Sequence, residues 1–339
     1  MIDRQNYKLV MAYLDYRRRV MQNDPKTIRN AWVSLKHMLQ WADAVNFNRA
    51  ADIRKTFPEY LLTSRNDGKD IPLTPGRMEK TLAFARDLFL WAKREHPGRF
   101  RLSEAWIQSL QVRKSAGPQS RLKRHEFYTL DEVLKIIERP ISDTPSLRYK
   151  RDKAALAFLY LSGMRAGAFV TLPLEAVDIA RKRILQLPEL GVQTKNSKAA
   201  ITTLLPIPRL LEAAAEWDAY VHAQSVDPRL AWYTRLQWEG LALDPADLIT
   251  ADRKPSGRIS ALRQGLIDLC ARAGVKFKSP HKARHGHGVY GIKRAHTMAE
   301  LKALSQNMMH ANIATTDGTY GSLVEDDIAR IISTFTPEN

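Results

Sequence analysis

Cysteine is nearly missing: Cys270 is the only one among 339 residues, which excludes an intramolecular disulfide framework and a thiolate zinc cluster and fits a reducing compartment. Long apolar runs are missing too. No stretch of about eighteen apolar residues could span a bilayer, and the opening MIDRQNYKLV has no signal-peptide core. The expectation is a cytoplasmic chain without membrane contact. Glycine and proline are sparse, at 16 and 17 residues, which excludes collagen-like and low-complexity classes. Acidic residues are in short supply: 36 Asp/Glu stand against 53 Lys/Arg, leaving +17. Such a field gathers polyanions, so nucleic acid is the leading partner. With 44% hydrophobic residues the chain can still bury cores, and its length favours two domains.

The charge is uneven. Residues 1–127 hold 25 Lys/Arg and 13 Asp/Glu, an excess of 12. Asp24-Pro25 is a helix start, followed by Ile28, Trp32, Leu35, Leu39 and Ala42 on one face. Thr74-Pro75 opens a second stripe of Met78, Leu82, Ala85, Phe89 and Ala92, ringed by basic residues. Residues 1–112 therefore read as a basic bundle of amphipathic helices. Periodicity then stops over 113–127, where Arg113, Lys114, Arg121, Lys123 and Arg124 flank the turn-prone Ser115-Ala116-Gly117-Pro118, a basic linker. A second domain, 128–339, begins at the Thr129/Glu132 capping box. In it, short β-like segments at Arg181–Leu187 and Ala200–Ile207 flank a polar turn, Thr194 to Lys198. Helices are expected near 208–223, 257–273, 280–295 and 298–309, the last after a Thr297/Glu300 capping box. The expected class is mostly α with a small β-sheet.

Three segments carry unusual chemistry. Ser279-Pro280-His281-Lys282-Ala283-Arg284-His285-Gly286-His287 packs imidazoles and a guanidinium into the start of a helix, which suits a phosphate. A metal site from His281, His285 and His287, or a solvated basic face, fits the same residues. Arg165 stands between Gly163 and Gly167 at the end of an apolar helix and needs an anion, internal or from a ligand. Tyr320 follows His310 by ten residues, and a tyrosine is most often packing or surface and seldom a nucleophile.

Taken in order, Gly163-Met164-Arg165, a lysine in a β turn, His281-x-x-Arg284-His285, and His310 with Ile313, Thr315 and Thr316 before Tyr320 resemble the tyrosine recombinase and phage integrase family. The resemblance covers about residues 128–330. It implies an N-terminal helical core-binding (SAM-like) domain and a C-terminal α+β catalytic domain that close on duplex DNA. It also implies that Arg165 and Arg284 clamp the scissile phosphate, His281 assists proton transfer, His310 hydrogen-bonds the phosphate and Tyr320 attacks it. The turn lysine it points to is Lys195, with Lys198 the alternative. Implied partners are double-stranded DNA with specific recombination sites, a homo-tetramer in the synapse formed from free monomers, and accessory DNA-bending proteins. The implied location is cytoplasmic, on the nucleoid. The linker cations would cross the phosphate backbone, and a terminal helix at 324–332 would dock on a neighbouring protomer or in cis. The spacing from His310 to Tyr320 is one residue longer than the family's common pattern, and Gly167-Ala168 replaces an acidic residue usual after the first arginine.

The chemistry agrees with that assignment. Two guanidiniums supply the charge and geometry a phosphorane needs, so no metal and no cofactor is expected. A phosphotyrosyl ester conserves the bond energy for resealing without ATP. The competing readings are a catalytically inactive DNA-binding protein, a type IB topoisomerase-like relaxing enzyme, and a metal-dependent nuclease.

Overall fold

The computed structural model describes residues 1–63, 73–111, 126–140, 146–224, 227–237, 242–250, 256–310 and 312–320. The linker cations Arg113, Lys114, Arg121, Lys123 and Arg124 and the expected terminal helix at 324–332 lie outside them. The chain divides into two compact units, Met1–Pro118 and Gln119–Asn339. The fold is mostly helical with small sheets.

In the first unit the helices are α1 (Arg4–Arg19), α2 (Pro25–Ala42), α3 (Phe57–Thr63), α4 (Pro75–Glu95) and α5 (Glu104–Ser109). Asp24 caps α2 by accepting from the Lys26 and Thr27 amides at 2.9 Å, satisfying donors the helix cannot. The expected stripes face inward: Ile28, Leu35, Leu39 and Ala42 of α2 pack with Met78, Leu82, Ala85, Phe89 and Ala92 of α4 in one core. Trp32 is only half-buried, its ring edge-on to Tyr7.

The second unit holds α6 (Leu130–Glu138), α7 (Leu147–Ser162), α8 (Ala166–Phe169), β1 (Val177–Asp178), β2 (Arg183–Gln186), β3 (Ala200–Thr203), α9 (Pro208–Gln224), β4 (Leu236–Gln237), β5 (Ala242–Leu243), α10 (Ser256–Ala273), α11 (His281–Ile292), α12 (Met298–Asn307) and α13 (Ile313–Tyr320). Both capping boxes form, at Thr129 with Glu132 and at Thr297 with Glu300. Gly274, at φ +59, follows the end of α10. The β-like segments shrink to four residues each, because the ladder between β2 and β3 runs only from Arg183 opposite Thr203 to Gln186 opposite Ala200. With β1 they form an antiparallel sheet in the order β1-β2-β3. The α12 helix stops at Asn307, two residues earlier than expected.

The central member is α7, buried from Ala154 to Ser162 and packed by α9, α10 and α11. Its second half, 154–162, reads as a continuous apolar run because no face of that stretch meets water. No helix of the described residues is long and apolar enough to cross a membrane.

Close approach of α11 to α7 depends on missing side chains. A Cβ at Gly286 would stand 2.1 Å from the Tyr128 carbonyl and 2.6 Å from the Tyr160 ring, and the first of these cannot swing aside. Gly286→Ala is expected to destabilise the protein by about 1–3 kcal/mol, measured as a lower urea midpoint at unchanged m-value.

Candidate active site

The C-terminal end of α7 is the foundation of the site. Its last carbonyls cannot be satisfied within the helix, and three of them find partners beyond it. Leu159 accepts from the Gly163 amide at 3.1 Å and Leu161 from the Leu205 amide at 2.9 Å. Tyr160 accepts from His287 Nδ1 at 2.8 Å. Gly163 ends the helix in the left-handed region, φ +60, where glycine carries no Cβ penalty; a Cβ there would also meet the His287 ring at 2.5 Å. The chain then turns and Arg165 becomes the N-cap residue of α8.

Arg284, on α11, is 2% exposed. Its Nη1 donates to the Gly163 carbonyl at 2.6 Å, and its Nη2 donates to the Met308 carbonyl at 2.6 Å and to His310 Nε2 at 2.8 Å. A buried guanidinium is tolerable when its donors meet acceptors, and the negative ends of helices α7 and α12 suit a cation.

His310 is placed by how α12 ends. The His310 amide bonds the Ser305 carbonyl at 3.0 Å and the Met309 amide bonds the Gln306 carbonyl at 2.8 Å, with Met309 left-handed at φ 55. This is a Schellman closure with a non-glycine residue at the strained position. Because Arg284 can only donate, His310 Nε2 must accept, so Nδ1 carries the proton and donates to Thr316 Oγ1 at 2.7 Å. Desolvation, with Arg284 and then Arg165 adding to it, pushes His310 down to about 4. Thr316 is buried on α13, and the Tyr320 backbone lies one turn beyond it, at the last residue of that helix. Nothing is described of the Tyr320 side chain.

His281, at the first position of α11, is exposed and stacks edge-on with His285, ring centroids 4.9 Å apart. Partial desolvation and then the positive charges of Arg284, Arg165 and Lys282 lower its pKa. Arg165 is thus close enough to influence both His281 and His310, and it is half-buried. Its carbonyl accepts from the Phe169 amide at 2.9 Å, while its guanidinium makes no hydrogen bond or ion pair among the described residues. Arg165, His281, Arg284 and His310 therefore share one place. Lys195 does not join them: it sits exposed on the turn Lys195–Ser197 between β2 and β3, where Asn196 and Ser197 are left-handed at φ 59 and 49, and Lys198 is exposed beside it.

No protein-family model matches the chain. It is 26% identical over 240 residues to tyrosine recombinase XerC of Natranaerobius thermophilus, covering 70% of this chain and 69% of that protein. It is 27% identical over 224 residues to tyrosine recombinase XerD of Mycobacterium leprae, covering 64% of this chain and 63% of the relative, just under two thirds of its length. Both relatives are tyrosine recombinases, and the chain is similar to them over about two thirds of its length. In fold it is similar to a lambda integrase dimer bound to a COC′ core site, with a TM-score of 0.59 at 13% identity over 98% of this chain and 79% of that one.

Two residues of this candidate site escaped sequence reasoning. His287, fully buried, caps the Tyr160 carbonyl and lies against Gly163; it stood in the sequence among competing metal ligands, with no signal that it would face inward. Thr316 stood in the motif before Tyr320 without a role. Burial holds His287 at about 4.

Both histidines bind protons more readily in the unfolded chain, where an imidazole titrates near 6.5. Their contribution to stability is complete above about pH 6.5 and is lost as pH falls toward 4. Urea unfolding across that window is expected to show the loss, and His287→Gln to flatten it. Nitrogen-15 histidine spectra at pH 7 are expected to show His310 neutral with its proton on Nδ1.

Proposed function

We propose that the chain is a site-specific DNA recombinase or integrase that breaks and rejoins strands through a 3′-phosphotyrosyl intermediate at Tyr320, without metal or ATP. The observation that carries this reading is the convergence of Arg165, Arg284 and His310: two guanidiniums close enough to depress the same imidazole, with the Tyr320 backbone one turn beyond the threonine that imidazole bonds. Two like charges near one another favour an anion between them, and a phosphodiester in transition carries more charge than in its ground state. That difference is what accelerates the reaction.

In this reading Arg165 and Arg284 hold the nonbridging oxygens, and His310 hydrogen-bonds the phosphate. An arriving anion favours protonation of His310, so the imidazole can donate once DNA is bound. His281 assists proton transfer near Tyr320. The Tyr320 oxygen forms its bond to phosphorus as the bond to the 5′ oxygen breaks, and Lys195 supplies the proton to that leaving oxygen. The mobile partner is then a free 5′ hydroxyl that attacks the phosphotyrosyl ester of another strand. The partner is duplex DNA bearing recombination sites, gripped in a tetrameric synapse. The basic first unit, the linker cations Arg113, Lys114, Arg121, Lys123 and Arg124, and the catalytic unit all contribute phosphate contacts, so affinity falls steeply with salt.

The test is covalent trapping: purified protein, nicked duplexes from the DNA flanking its own coding sequence, EDTA present, and a denaturing gel. A protein–DNA adduct is expected, and Tyr320→Phe is expected to abolish it while salt-sensitive binding persists. Arg284→Lys, which cannot serve three acceptors from a fixed fork, is expected to slow adduct formation by about 100-fold or more. Binding without any adduct would instead identify a non-catalytic DNA-binding protein, and relaxation of plasmids lacking any site would identify a topoisomerase-like enzyme.

A further inference from the structure

Strand β3 is the edge of its sheet, and at Thr203 the backbone groups that face away from β2 are met by a side chain. Asn307, the last residue of α12, presents its carboxamide there: Oδ1 accepts from the Thr203 amide at 2.7 Å and Nδ2 donates to the Thr203 carbonyl at 3.0 Å. One residue of a neighbouring strand would make the same pair of bonds. Thr202 adds a third tie, its hydroxyl donating to the Asn307 carbonyl at 3.3 Å while accepting from Gln186 Nε2 at 2.6 Å. Helix α12 itself has no use for an amide at this position, since asparagine is a weaker helix former than leucine or alanine.

The residues immediately after Asn307 give the contact its meaning. Met308 offers the carbonyl, and His310 the Nε2, that Arg284 bonds. The β2–β3 hairpin, whose turn bears Lys195, and the guanidinium of Arg284 are therefore registered against one four-residue segment, 307–310. We propose that Asn307 is a positioning residue for proton delivery, holding the hairpin so that Lys195 meets the leaving 5′ oxygen while Arg284 and His310 hold the phosphate. This rests on the recombinase reading above, in which the lysine ammonium gives its proton to that oxygen as the phosphorus bond breaks.

The experiment separates the lysine's work from the clamp's. Once trapping has mapped the cleaved phosphate, nicked duplexes carry either oxygen or sulfur at its 5′ bridging position. A thiolate leaves without a proton, so the sulfur substrate reports on the clamp and nucleophile alone. In the full chain, Asn307→Leu is expected to slow cleavage of the oxygen substrate by about 10- to 100-fold and of the sulfur substrate by less than about twofold, with DNA affinity unchanged. Asn307→Asp keeps the acceptor for the Thr203 amide but sets an anion against its carbonyl; it is expected to show the same selectivity more weakly, and it serves if the leucine variant does not fold. Lys195→Ala provides the reference pattern. Equal slowing of both substrates, or none, overturns the role of Asn307 while wild-type adducts still form. Absence of a wild-type adduct overturns the recombinase reading itself.

Discussion

One buried cation organises the second unit. Arg284 reaches the ends of two helices and a histidine with two of its nitrogens, and at 2% exposure it has little water to fall back on. Its removal would orphan the Gly163 and Met308 carbonyls together, so the side chain that the proposed chemistry needs most is also a structural tie. Such a residue cannot drift in position without disturbing the packing of α7, α11 and α12 at once. Rigid placement is what catalysis by oriented charge demands.

The same tie sets the protonation of its surroundings. An imidazole that accepts from a guanidinium, and that has a second arginine nearby, is a poor place for another proton. His287 is kept neutral by burial instead, and it uses its proton to close the end of α7. Desolvation is the first cause for both histidines and Arg284 adds to each, but His287 is fully buried against α7 whereas His310 is half-buried beside Arg284 and Arg165. Only the second would feel an incoming phosphate directly.

Much of this was legible in the sequence, and the part that was not has a physical reason. Asp24, Thr129 and Thr297 announced their helices because capping is local, decided by residues two or three apart. The stripes through Leu35 and Phe89 were readable because a helix repeats its buried face. Gly163-Met164-Arg165, the paired His281 and Arg284, and His310 were readable as motifs, and the structure brings them together. Strands β1, β4 and β5 were invisible, being two residues each and too short for alternation to register. Asn307 and His287 act through partners 104 and 127 residues away, a relation that no local pattern encodes. From its local pattern Lys195 was readable only as part of a polar turn, its role coming from the resemblance alone, and it is exposed on that turn.

The left-handed Met309 has a consequence for motion. A side chain in that conformation carries about 1–2 kcal/mol that glycine would not, and it sits in the turn that delivers His310. The strain raises the folded turn toward its open form, so transient unlatching of 307–310 is favoured by about fivefold or more over a glycine turn. Opening of 307–310 would free the imidazole and the hairpin edge together, because that one segment holds both the Arg284 and the Thr203 contacts.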